Sequence, residues 1–411
     1  MSRLRLQPLD WACAMAFIAY SSVSVVTPIC LLKMAEELHF NLAEGGVLEA
    51  GRTFLLVIIL GLSGFAAAHW GKTRVIGFSL LLMGAGMIMY SMAPTYAMVL
   101  MAMGLAGLGS GMVEGLVNPL IQDLHPRDSG RYLNLLNGFW SIGVLTTMLG
   151  VGELLTRGVS WRAIMVGAAV VCFFSGLLFL LLERRKHRRS AEAFRDTLRH
   201  TRHILGDPLA WFFMGAMFLA GGVEGGFTFW VASYVQIEFE ALPRAGGIGT
   251  SCFAAGMIIG RFASGHFFRQ HHLKALIISS ALCGMAISIA IPFLPGLAGL
   301  YVMLFAAGLT VACFWPSLQS YAVDCLRKDS TMIFILLSMG GIPGFGATVW
   351  LMGEIGDTRG LGRAFFIIPF MFATLATLMV FTRSRKVHTP DDEETPLPDA
   401  YGGANWHEEK D

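Results

Sequence analysis

GLAGLGSGMVEGLVNPLIQDLHPRDSGRYLNLLNGFWSIGVLTTMLGVG, residues 104–152, is the stretch from which the rest of the chain can be read. It opens as an apolar, glycine-rich run long enough to cross a bilayer, yet it carries a carboxylate, Glu114. An ionisable side chain at that depth costs roughly 2.5–3.5 kcal/mol on insertion scales, so it faces protein or a watery cavity and marks a pathway. Glu114, Asn118 and Gln122 follow at i, i+4 and i+8, one stripe of a helix. Such a stripe either lines a wet cavity or forms a buried hydrogen-bonded network between helices. The cavity reading is favoured.

Outward from this stretch the whole chain repeats the pattern. Of 411 residues, 55% are hydrophobic and 14% charged, and the mean hydropathy is +0.62. Runs near 20 residues, each enough for a hydrocarbon core of about 30 Å, recur from end to end. They predict an all-α polytopic membrane protein with twelve spans, near 11–33, 45–68, 75–93, 96–123, 131–155, 160–182, 208–232, 245–268, 273–294, 297–320, 331–353 and 363–382. Twelve spans put both termini on one side. Of the 30 Lys and Arg, 22 then fall on that side and 6 on the other, while Arg52 and Arg261 lie within spans. Positive charge is retained in the cytoplasm, so cytoplasmic termini are expected. The first run is too long for a cleaved signal and reads as a retained span. With no Asn-x-Ser/Thr sequon, a bacterial inner membrane is the expected setting.

Four segments follow from this layout. Residues 1–182 form one six-span half and 208–382 the other. Between them, 183–207 carries eight Arg and Lys against four acids. It reads as a cytoplasmic basic linker near anionic headgroups rather than a nucleic-acid site. The acidic, proline-bearing tail from residue 383 to residue 411 has no apolar run to bury and is expected to be disordered. The halves repeat: Phe17 aligns with Phe218, Gly45-Gly46 with Gly246-Gly247 and Ser63-Gly64 with Ser264-Gly265, each 201 residues apart. Later matches (Gly111 with Gly308, Pro119 with Pro316, Gln122 with Gln319, Ser141 with Ser338) suggest an offset of 197. Parallel repeats of this kind mark transporters built from two related bundles.

Chemistry-bearing residues are sparse. Glu224 is a second intramembrane acid, set among glycines, with Thr228 one turn on. Trp315 and Gln319 sit at i, i+4 in the tenth span, where Trp315 reads equally as a pocket platform or as packing. Glu49 and Arg52, at i, i+3 towards the outer end of the second span, read as a gate, a structural pair or a substrate contact. The seven cysteines stand singly and are assigned to packing. No metal-like His/Asp cluster or nucleophile elbow is present, His271-His272 being adjacent rather than a turn apart. No loop is large enough for a sensor's output domain. An enzyme and a scaffold are therefore disfavoured, and no metal or cofactor is expected.

Two motifs point to a family. Residues 64–74, GFAAAHWGKTR, resemble the cytoplasmic loop motif G-x-x-x-D-x-x-G-[RK]-[RK] of the major facilitator superfamily. Gly64, Gly71 and Lys72 match, while Ala68 replaces the Asp. Trp161-Arg162 resembles the superfamily's W-R start to the sixth helix. Residues 113–144 resemble the fourth and fifth helices of the fucose:proton symporter family. The matching residues are Glu114, Asn118, Pro119, Pro126, Ser129, Gly130, Leu133, Asn134, Leu135, Phe139 and Gly143. The superfamily resemblance covers about residues 10–382; the subfamily resemblance is strong only across these two spans. It implies the major facilitator fold, a protonatable Glu114 in the solute cavity and Asn137, where that family has Gln, near the substrate. That family's essential first-helix Asp has no counterpart between Trp11 and Met34. Coupling is thus assigned to Glu114, shared with Glu224, or is absent.

The resulting expectation is a secondary transporter, a monomer in the lipid bilayer with no nucleic-acid partner. It carries a small polar solute, a sugar first of all, by alternating access. The coupling ion is H+ before Na+. Asn118, Asn137, Gln122, Gln319 and Thr228 are expected to hydrogen-bond the solute, and Trp140, Trp230 and Trp315 to stack on it. Glu49, Arg52, Lys72 and Arg261 are assigned to gating. The alternatives are a proton-coupled efflux antiporter or an uncoupled facilitator for another small organic solute. The fifth span has Thr146, Thr147 and Met148 where the antiporter pattern G-P-x-x-G-G would require glycines, which counts against efflux.

Overall fold

The computed structural model describes residues 6–125, 129–183, 202–268, 270–326 and 330–382. Pro126 lies outside them, as do the side chains at 129–131, 133 and 134, linker residues 184–201 and the tail from residue 383.

Among the described residues, twelve helices cross the molecule, six in each half. In the first half they are α1 (Pro8–Leu38), α2 (Leu42–Trp70), α3 (Lys72–Ser91), α4 (Tyr96–Leu124), α5 (Ser129–Thr156) and α6 (Trp161–Leu182). The second half has α7 (Pro208–Glu238), α8 (Pro243–Phe267), α9 (Leu273–Ala290), α10 (Leu297–Leu326), α11 (Ser330–Arg359) and α12 (Leu361–Phe381). Eleven are long and apolar enough to cross a membrane. The twelfth, α8, has 25 residues and so reaches about 37 Å; its hydropathy is lowered by small residues and Arg261. Several helices overrun the expected apolar windows by a turn or more, because a helix continues past the hydrocarbon until a cap or turn stops it.

Local chemistry sets these ends. Asn41 and Glu44 form a capping box at the start of α2, Asp207 caps α7, and prolines occupy the first positions of α1, α7 and α8. Gly71 makes the one-residue turn between α2 and α3 at φ 88°, a conformation that disfavours any side chain. α10 is broken after Val311 and resumes at Phe314. Pro316 has no N–H to give the carbonyl four residues back, and the break sets Trp315 at the start of a fresh helical segment.

The halves meet along two seams, α2 against α11 and α5 against α8, with α1 beside α7. Each seam is main chain against main chain. Gly46 packs on the Val349 carbonyl and Gly353 on that of Leu42; in the other seam Gly247 packs on Met148 and Gly152 on Pro243. A Cβ would lie 3.0 Å from the carbonyl oxygen at Gly46 and 2.7 Å from it at Gly353, so only glycine permits this approach.

These contacts correct the repeat register. Gly46 and Gly247, Met148 and Val349, Leu42 and Pro243, and Gly152 and Gly353 are all 201 residues apart. The hydrogen bonds Asn137–Asn118 and Gln319–Ser338 are 201 apart as well. Asn118 thus corresponds to Gln319 and Asn137 to Ser338. The 197 offset is one helical turn out; a shift of four residues keeps the same stripe, so sequence patterns match at either setting.

Both seams are tightest at the end away from the termini, here the far end. There Arg244 of α8 donates to Glu153 of α5 (2.9 Å through Nη2), and its backbone N–H to Thr156 (2.9 Å). At the terminus-bearing end, the near end, the ties stay within one half. Lys72 pairs with Asp123 (2.8 Å), Asp10 with His125 (2.8 Å), and Lys274 caps the Thr382 carbonyl (2.6 Å). Trp161 and Arg162 fasten α6 to Glu37 at the far end of α1 (2.5 and 2.8 Å).

Replacing Gly46 with Val is expected to weaken far-end closure by about 1–3 kcal/mol through overpacking. Maleimide labelling of a cysteine placed at the far end should accelerate, while Gly64→Val, with open space around it, should leave labelling unchanged.

Candidate functional site

The polar residues between the halves converge on a central cleft. On the first side, Glu114 of α4 is half-buried and faces the hydroxyl of Tyr20 from α1. Tyr20 also lies within interaction range of Arg52. Arg52 is clamped by Glu49 one turn before it, through Nε (2.9 Å) and Nη2 (2.5 Å). Both are buried, Glu49 wholly, and Arg52 Nη1 is left without a protein partner. Two charges taken from water need this bidentate geometry to offset desolvation.

On the second side, Glu224 of α7 pairs with Arg261 of α8 at 3.6 Å. Arg261 reaches over the seam, donates to Ser141 of α5 (3.0 Å) and lies 5.8 Å from the Trp140 ring centroid. Trp315 points its indole N–H towards Glu224 without closing a hydrogen bond, leaving Trp315 Nε1 and Glu224 Oε2 unsatisfied. Its ring packs on Gly341 of α11. Glu114 and Glu224 are close enough to act on each other electrostatically. Two acids, one from each half, thus lie within electrostatic range of each other.

Amides flank them. Asn137 donates to Asn118 (2.9 Å), and in the other half Gln319 donates to Ser338 (3.3 Å). Gln122 is half-buried one turn further along the α4 stripe, and Thr228 is buried one turn past Glu224. Of the expected residues, Glu224, Arg261, Trp140 and Trp315 are linked to one another, Glu114 acts on Glu224, and the amides Asn118, Asn137 and Gln319 lie on the same helices.

Two expectations change. Trp230 is a packing residue: it has no exposed surface, and its N–H donates to the Val349 carbonyl (3.0 Å). Six residues past Glu224, it lies roughly 240° round the helix and faces α11 instead of the cleft. Lys72 bonds Asp123 and the Pro119 carbonyl (2.8 and 3.3 Å), fastening α3 to α4 inside one half. Asp123 supplies from α4 the acid missing at residue 68. Sequence reasoning missed Tyr20, which had no signal in an apolar span, and Ser338, which the 201 register would have paired with Asn137.

A family model described as the Major Facilitator Superfamily matches residues 12–348. The membrane protein MosC of Rhizobium meliloti is 24% identical over 353 residues, covering 86% of this chain and 84% of that one. Among solved structures, the nucleoside transporter NupG superposes with a TM-score of 0.72 at 15% identity, covering 91% and 97% of the two chains. The D-xylose-proton symporter gives a TM-score of 0.69 at 12%, covering 90% and 96%. At these identities the two structures share the fold.

Arg261→Met strands Glu224 and should lower stability by about 1–3 kcal/mol, less than a fully buried pair would lose because a quarter of Arg261 is exposed. Adding Glu224→Gln should recover part of the loss, read as the thermal midpoint in detergent.

Proposed function

Since the chain belongs to the major facilitator superfamily, we propose that it is a secondary active transporter for a small polar solute, a sugar in the first instance, driven by proton symport. The supporting observation is the cleft itself. Glu114 and Glu224 face each other across the interface between the halves, ringed by hydrogen-bonding amides and by the rings of Trp140 and Trp315. Hydroxyl groups both donate and accept, which suits a site holding the unsatisfied acceptor Glu224 Oε2 and the unsatisfied donor Trp315 Nε1. A solute lacking those hydroxyls would leave buried polar atoms unpaired, the costlier error. Nucleosides and D-xylose, named for the two solved neighbours, share a hydroxylated sugar ring, in keeping with this reading.

Alternating access follows from the seams. With the termini in the cytoplasm of a bacterial inner-membrane protein, far-end closure corresponds to an inward-facing state. The Arg244–Glu153 pair then acts as the outer catch, and Arg261 as the innermost tie across the seam. A carboxyl group couples when its proton changes the balance between inward- and outward-open states. Glu114, held by no cation of its own and opposed by Glu224, is the group we assign to that step.

The test is uptake of labelled sugars into proteoliposomes, with and without an inward proton gradient. Wild type should accumulate at least one sugar under the gradient. Glu114→Gln should lose about tenfold or more of that accumulation while keeping counterflow exchange. Failure of every sugar to move overturns the sugar assignment. Movement indifferent to gradient and mutation points to an uncoupled facilitator.

A further inference from the structure

Among the described residues, Tyr20 joins the acid of α4 to the ion pair of α2. It comes from α1, is buried, and interacts with Glu114 and with both members of the Glu49–Arg52 pair. Arg52 is placed to pass on any change. Its carbonyl packs on Gly107 of α4, and the next residue, Thr53, lies against Gly346 of α11 in the seam between the halves. A contiguous path therefore runs from Glu114 through Tyr20 and Arg52 to the α2–α11 seam.

We infer that Tyr20 is a positioning residue that conveys the protonation state of Glu114 to the Glu49–Arg52 pair, and through Arg52 to that seam. The inference rests on the reading of Glu114 as the proton site. A phenol has one proton to donate and lone pairs to accept with. When Glu114 is ionised, the Tyr20 O–H turns to the carboxylate and its oxygen accepts from Arg52. When Glu114 holds a proton, its own O–H donates to the Tyr20 oxygen. The phenolic proton is then displaced towards Glu49, and Arg52 loses an acceptor. The hydroxyl rotor changes partners, and no proton leaves Tyr20. The other charges facing Glu114 are Glu224 from α7, across the cleft, and behind it Arg261 from α8. Neither touches Arg52.

The experiment places nitroxide labels at Ala43→Cys on α2 and Asp357→Cys on α11, in a chain whose native cysteines are replaced, and follows the distance between them against pH by pulsed electron resonance. Wild type should show two distance populations that exchange with pH. Glu114→Gln should abolish the exchange. Tyr20→Phe, which keeps the ring, should also abolish it or strongly reduce its amplitude, and Tyr20→Phe with Glu114→Gln should match Glu114→Gln alone. Counterflow exchange retained in Tyr20→Phe verifies that the variant is folded. If Tyr20→Phe titrates as wild type does while Glu114→Gln is silent, the relay is overturned and the proton site stands. If Glu114→Gln titrates like wild type, the proton-site reading falls and the relay with it. Additive effects in the double variant, or a raised KM with an unchanged pH profile, would make Tyr20 a packing or solute-binding residue and overturn the relay.

Discussion

Charge held away from water is the constraint on which the rest of this structure depends. Glu49, Arg52, Glu114, Glu224 and Arg261 all lie within helices that cross the molecule. An ion in such a place is tolerated only where a counter-charge, a dipole or trapped water replaces what it has lost. Glu49 and Arg52 answer this inside one helix, by a bidentate clasp one turn long. Glu224 finds Arg261 on the next helix, and Arg261 in turn reaches into the opposite half. Glu114 has the Tyr20 phenol and the carboxylate of Glu224 near it, and no cation among the described residues acts on it. The three solutions differ in how firmly they hold, the clasp within one helix being the closest.

Glycine is the second determinant. At these glycines the seams bring main chain against main chain, and the same pair of contacts recurs in each seam. This duplication gives the two six-helix bundles matching joints on either side. The near-end ties of Lys72, Asp10 and Lys274 keep each bundle whole while it moves.

Much of this was legible in the sequence, for identifiable reasons. A run of some 20 apolar residues has few uses other than crossing a bilayer, so the twelve helices followed from composition. Glu114 stood out because a carboxylate in such a run is costly, and the stripe with Asn118 and Gln122 because helical spacing is rigid. Other features were hidden. Tyr20 in an apolar span looks like any core aromatic until its neighbours are known. Trp230 carries the same chemistry as Trp140, and only the angle round the helix separates a buried prop from a cleft residue. The partnership of Arg162 with Glu37, 125 residues away, is a tertiary fact with no local trace. The repeat register slipped by four residues because a full turn leaves the pattern of faces unaltered.

The main-chain seams also bear on how readily the molecule can part. The carbonyl oxygens of Leu42, Met148, Pro243 and Val349, against which the glycines rest, belong to helices whose ladders already engage them. Such oxygens ask little of water when exposed, and the glycines facing them have no rotamers to release or recapture. A joint of this sort is close-fitting when shut yet carries almost no hydration debt when opened. It behaves like a dry catch.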